Sequence, residues 1–134
     1  MSFNDKILKA LSSTLTYLDK AVSALRKGDE NAFSNDMWHV AAELEYALFL
    51  FLLTLEGSGQ NIQRLKPNSE TINPPVGDVM LKVKELVEES QNFLMKGDFS
   101  NAYRCVYLAR HYIFKVQESL DKKTTRARGT NRKD

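Results

Sequence analysis

The chain is 134 residues long, enough for one domain. Apolar residues make up 43% of it and charged residues 27%, the balance of an ordinary globular domain that buries its core without disulfide or metal staples. A single cysteine, Cys105, excludes an internal disulfide and with it the disulfide-scaffold class of secreted proteins.

The net charge of +2 is unevenly spread. Residues 121–134 carry Lys122, Lys123, Arg126, Arg128, Arg132 and Lys133 against Asp121 and Asp134, a net of +4, which leaves −2 for residues 1–120. Such asymmetry is a hint of contact with nucleic acid or a membrane. Met1 to Lys9 lacks the apolar stretch of a signal peptide, so a soluble, cytoplasmic protein is expected.

Periodicity predicts a first helix over residues 6–26, with Ile7, Leu8, Leu11, Leu15, Leu18, Val22 and Leu25 on one stripe and Asn4 or Asp5 as its cap. Lys27-Gly28-Asp29 follows. Glycine accepts the left-handed conformation that ends a helix, and aspartate accepts the backbone N–H groups that start the next, so the pair predicts a tight helical hairpin. The second helix is expected from about Glu30 to Leu55. Its run Tyr46 to Leu55 is apolar nearly all round, too short to span a bilayer, and expected to be the most buried part of the fold. Its surplus of apolar surface suggests self-association.

Residues 57–78 differ in kind. Gly57-Ser58-Gly59 opens the stretch and Pro67, Pro74 and Pro75 punctuate it, which reads as a long linker that lets the next helix choose its direction; Ile62 to Lys66 has room for one helical turn. A third helix is predicted over 79–95, with Val79, Met80, Val83, Leu86, Val87, Phe93 and Leu94 inward and Asp78 or Asn73 as its cap. Lys96-Gly97-Asp98 repeats the earlier punctuation. A fourth helix then runs from about Ser100 to Leu120, with Ala102, Val106, Ala109, Ile113, Val116 and Leu120 inward.

Leu25 to Phe33 matches Leu94 to Tyr103 with one inserted residue, so the chain reads as two similar hairpins. The expected fold is all-α: hairpins 6–56 and 79–120 form one four-helix bundle within residues 1–120. Residues 121–134 have no apolar periodicity and are expected to be a disordered basic tail.

The run Tyr17 to Asp29, then Trp38-His39-Val40-Ala41-Ala42-Glu43 and Ala47, resembles the front half of HEPN domains. There a helix ends in Gly-Asp and the next carries a small-small-Glu stretch before a run of aliphatics. Asn92 to Tyr103 is also similar to the helical pairs of tetratricopeptide repeats and of small archaeal helical proteins. The HEPN resemblance implies a dimer that cleaves RNA with an arginine and a histidine from the same helix. Arg104 and His111 are the pair that this sequence offers, and Cys105 departs from the small polar residue that usually follows the arginine.

Other chemistry is sparse. His39 and Glu43, four residues apart, share a helix face but lack the further ligands that a metal site wants, so no metal and no cofactor are expected. No glycine-rich phosphate loop and no inward Glu-x-x-His pattern is present. Cys105 reads as a small core residue. Trp38, Tyr46, Phe49, Phe51, Tyr103, Tyr107 and Tyr112 are either core or a stacking surface, with Tyr103 and Tyr107 at the edge of the inward stripe. The expectation is a non-enzymatic binding or adaptor protein, a homodimer that contacts protein through helix faces and RNA or DNA through the six basic residues of its tail; a HEPN-like ribonuclease or toxin–antitoxin component is the alternative.

Overall fold

The computed structural model describes residues 3–57 and 75–131, with side chains placed for 3–54 and 75–120. Four helices account for nearly all of them: α1 (Phe3–Lys27), α2 (Glu30–Gly57), α3 (Val76–Met95) and α4 (Phe99–Asn131). The protein is all-helical, and its helices form two tightly packed hairpins, α1–α2 and α3–α4. The hairpins join more loosely through α1 against α3 and α2 against α4; the diagonal pairs do not touch among the described residues.

The two hairpin turns have the same geometry. Gly28 and Gly97 sit at φ +73° and +80°. At the first turn Asp29 N–H donates to the Ala24 carbonyl at 3.0 Å and Gly28 N–H to Leu25 at 3.2 Å; at the second, Asp98 N–H donates to Phe93 at 2.8 Å and Gly97 N–H to Leu94 at 3.0 Å. This is the Schellman pattern, which satisfies the orphan carbonyls of the outgoing helix. Each aspartate then caps the incoming helix: Ala32 N–H donates to Asp29 Oδ1 at 3.1 Å, and Asn101 N–H to Asp98 Oδ1 at 3.2 Å.

The core repeats with the turns. Phe33, Met37, Val40, Leu44 and Ala47 are buried in α2, and Ala102, Val106, Ala109, Ile113 and Val116 in α4. Each lies 69 residue numbers after its counterpart, the step from Gly28 to Gly97. The hairpins therefore match without the inserted residue that the sequence comparison introduces; side chains of unlike size occupy like positions, which hides the register from identity matching.

Ladder partners fix the directions. Gln91 Nε2 donates to Ser12 Oγ and Lys84 pairs with Asp19 between α3 and α1, while Phe51 meets Tyr103 edge-on and Arg110 pairs with Glu45 between α2 and α4. Both pairs of helices are thus antiparallel, and α2 and α3 run the same way along the bundle diagonal. Gly57 and Val76 consequently lie at opposite ends, and the chain between them must return about 30 Å, the length of α3. That is the physical reason for a long crossover instead of a third tight turn. The turn considered at Ile62 to Lys66 and the cap considered at Asn73 lie outside the described residues.

Several expectations need correction. Asn4 and Asp5 fall inside the first turn of α1. The N-cap of α3 is Pro75, with no side-chain hydrogen bond, and Asp78 sits in the first turn, where its charge faces the positive end of the helix dipole. The inward face of α1 is Ile7, Ala10, Leu11, Thr14, Leu18, Ala21 and Ala24; Leu8, Leu15 and Val22 are half-buried and Leu25 is exposed. Small residues are inside because α1 is wedged between α2 and α3, and the larger aliphatics cover the rim. Phe93 and Leu120 are likewise half-buried, not fully inward. Two buried hydroxyls escape the apolar-stripe reading: Thr14 donates to Ala10 at 2.8 Å, and Ser90 crosses to the Ala102 carbonyl at 2.9 Å. Finally, α4 continues as helix beyond Leu120 to Asn131, so the basic segment expected as a disordered tail extends the helix. It has no proline, Lys and Arg are good helix formers, and their charge suits the negative end of the dipole.

The apolar run Tyr46 to Leu55, too short by itself to span a bilayer, lies in the second half of α2. Glu30–Thr54 is long and apolar enough to cross a membrane by length and composition. Its apolar residues divide, however: Leu44, Ala47, Leu48, Leu50 and Phe51 are buried in the bundle, whereas Trp38, Tyr46, Phe49 and Leu53 are exposed.

The left-handed glycines give the first prediction. No atom lies within 4 Å of a Cβ built at Gly28 or Gly97, so an alanine there meets only backbone strain. Gly28→Ala and Gly97→Ala should each lower unfolding free energy by about 1 kcal/mol. Asp29→Ala and Asp98→Ala should cost about the same through the lost cap. Urea denaturation of the four variants checks this, and equal stability to the parent chain would refute it.

Candidate functional site

Three places gather the chemistry-bearing side chains: the outer face of α4, the α3–α4 seam around Cys105, and the outer face of α2.

Arg104 and His111 share one face of α4, two helical turns or about 10.5 Å apart along the axis. Arg104 is exposed and His111 half-buried. Burial, and then the charge of Lys115, lower the His111 pKa from its ordinary 6.5, with Glu118 opposing. The imidazole is therefore neutral at pH 7. Its ring lies 6.2 Å from that of Tyr112. Among the described residues no group of three or more His, Cys, Asp or Glu side chains comes together. His39 does not pair with Glu43 around a shared point; its ring stacks on Tyr17 at 4.5 Å, nearly parallel.

Cys105 is buried in the α3–α4 seam, as a small core residue would be, with its thiol 3.8 Å from Glu89 Oε2. Burial first, and then the Glu89 carboxylate, push its pKa up to about 11. A thiol held in this state is a poor nucleophile.

The outer face of α2 is of another kind. Trp38, Ala42, Tyr46, Phe49 and Leu53 follow one another at steps of four, four, three and four residues, a single stripe on a helix. All five are exposed. The aromatics that sequence reasoning leaned toward placing inside are on the surface, while Phe51 is core and Tyr103 and Tyr107 are half-buried at the edge. Glu45, the acid at the border of this stripe, is paired with Arg110 of α4 across the seam. Phe114, one turn beyond Arg110 on the same side of α4, is exposed as well. A small notch bounded by Ser34, Trp38, Gln117 and Leu120 marks the Trp38 end of the stripe; in it the Nε2 of Gln117 is covered and has no hydrogen-bond acceptor.

The second hairpin offers an internal comparison. Stepping 69 numbers from Trp38, Ala42, Tyr46, Phe49 and Leu53 leads to Tyr107, His111, Lys115, Glu118 and Lys122. The same positions of the same structural unit are thus largely polar or charged on α4. The fold does not require apolar residues there, so the stripe on α2 is an addition to the fold.

Of the basic residues, Lys122, Lys123, Arg126 and Arg128 belong to the terminal turns of α4, and Arg132 and Lys133 lie outside the described residues.

The Cys105 environment predicts slow chemistry. A thiol reagent at pH 7–8 should label the folded protein far more slowly than the urea-unfolded chain; equal rates would refute the buried, neutral thiol. The folded pKa lies above the ordinary 9.0, so the unfolded chain loses its proton first. The thiol's contribution to stability is intact below pH 9 and falls as pH rises toward 11, a dependence that Cys105→Ala should remove.

Comparison of the chain with known protein families, with curated proteins and with solved structures returns no match.

Proposed function

We propose that the protein is a non-enzymatic helical binding module that presents the outer face of α2 to a protein partner and brings the basic end of α4 to a nucleic acid. One observation carries the first half: the stripe of Trp38, Ala42, Tyr46, Phe49 and Leu53 is apolar where the equivalent positions of the second hairpin are mostly charged or polar. Exposed aromatic residues on a rigid helix are the usual anchors of protein interfaces, since they bring large contact area at little entropic cost. A photo-crosslinking residue in place of Phe49 should form a covalent adduct with protein in cells, whereas one in place of Leu81, exposed on α3, should not. Absence of any adduct from position 49 would remove this half of the reading.

The second half rests on charge. Lys122, Lys123, Arg126, Arg128, Arg132 and Lys133 are six cations within twelve residues at one end of a chain whose remainder is mildly acidic. Neutralising phosphates releases counterions, so binding of RNA or DNA should weaken by on the order of 10²–10³-fold between about 50 and 200 mM salt. Replacing all six residues with glutamine should abolish binding in a fluorescence anisotropy titration. Affinity that survives this replacement would show that the basic end is not the contact.

Ribonuclease action through Arg104 and His111 is the second reading. It is favoured by their placement on one helix face, Arg104 exposed and His111 half-buried, and by the neutral state of His111, the form able to accept a proton. His111→Ala should then abolish RNA cleavage while leaving the circular dichroism spectrum unchanged; cleavage that persists sinks this reading.

A further inference from the structure

We infer that the occupant of the α2 face is a second copy of this chain, packed antiparallel about a two-fold axis that passes between Glu45 and Tyr46. The inference rests on the protein-binding reading above and names its partner.

The stripe is arranged symmetrically about this axis. In an antiparallel two-fold pairing, residues equidistant from the axis face each other. About the midpoint of Glu45 and Tyr46, Trp38 pairs with the partner's Leu53, and Ala42 pairs with the partner's Phe49. A large ring thus opposes the smallest side chain of the stripe, twice, with the bulk of Phe49 filling the space that Ala42 leaves. The two Tyr46 side chains meet beside the axis. Off-centre stripes of large residues alone would clash or leave voids under the same operation, and voids forfeit the packing that an interface needs.

The exposed area is also that of a dimer interface. Trp38 is 66%, Phe49 57%, Phe114 55%, Tyr46 47% and Leu53 37% exposed. With full side-chain areas of about 150–250 Å² for aromatics, these residues offer about 500 Å² of largely apolar surface. A stable interface buries about 800 Å² per partner, of which about 60% is apolar, again about 500 Å². The stripe, together with Phe114 of the neighbouring α4, thus supplies the apolar share of a dimer interface of ordinary size.

Charge at the axis is accommodated as well. The acid at the border of the stripe, Glu45, is already paired with Arg110 of its own chain. Two copies therefore meet without an uncompensated charge at the axis, where like acids would otherwise repel.

The test uses the full chain. Light scattering at micromolar concentration should give twice 15.3 kDa, and the emission of Trp38, the sole tryptophan, should be that of a shielded indole that becomes exposed on dilution. Phe49→Glu, which copies the residue type at the equivalent position of α4, should weaken the dimer by about 100-fold or more because each dimer carries it twice, with helicity unchanged. In a Cys105→Ala background, Tyr46→Cys should form a disulfide-linked dimer under mild oxidation, and Leu81→Cys should not. A chain that stays at 15.3 kDa overturns the inference: with Trp38 shielded the cover is residues 58–74 of the same chain, and with Trp38 shielded only by added phosphatidylcholine vesicles it is lipid. A dimer indifferent to Phe49→Glu, or linked equally well through Leu81→Cys, overturns it too. The protein-binding reading fails separately, on the absence of any adduct at position 49; an adduct with a different protein would overturn only the second copy.

Discussion

At Gly28 and at Gly97 the backbone turns left-handed for one residue, and the aspartate that follows does two jobs. Its N–H closes the last turn of one helix and its carboxylate opens the first turn of the next. With only two residues between α1 and α2 and three between α3 and α4, the incoming helix cannot choose its position: it lies antiparallel and in contact. The inward register of α2 and α4 is counted from these aspartates, which is why buried positions recur at the same distance from both turns although the side chains there differ.

Two such hairpins still need a rule for joining. Antiparallel contact of α1 with α3 and of α2 with α4 places the end of α2 and the start of α3 at opposite ends of the bundle. The length of the chain between residues 57 and 76 follows from that distance. Tight turns within hairpins and a long return between them are two consequences of one arrangement. Ser90, which donates to the Ala102 carbonyl across the second hairpin, is a buried polar lock between α3 and α4.

The arrangement leaves four helices with two faces each. At the positions equivalent to the α2 stripe, α4 holds Tyr107, His111 and Glu118, all half-buried, and the exposed Lys115, a set that is mostly polar or charged. On α2 they hold Trp38, Ala42, Tyr46 and Phe49, a surface that gains by being covered. This difference between equivalent positions separates residues that make the bundle from residues that do something with it. By the same measure Cys105 belongs to the bundle, Arg104 is exposed on it and His111 lies half-buried at its edge.

The sequence by itself determined the helices, the two hairpins and most of the core of α3 and α4, because glycine–aspartate punctuation and three-to-four-residue periodicity are local signals. It also supplied the cluster of basic residues and suspected surplus apolar surface on α2. It could not decide which side of an almost uniformly apolar helix faces inward: Phe49 and Phe51 look alike in a run from Tyr46 to Leu55, and only the positions of α1 and α4 make one exposed and the other core. It misjudged α1 for the same reason, since a helix wedged between two neighbours buries Ala10, Ala21 and Ala24 and leaves Leu25 outside. The surface that now carries the functional argument was decided by tertiary packing alone, because exposure belongs to the neighbours a residue is given and not to the residue.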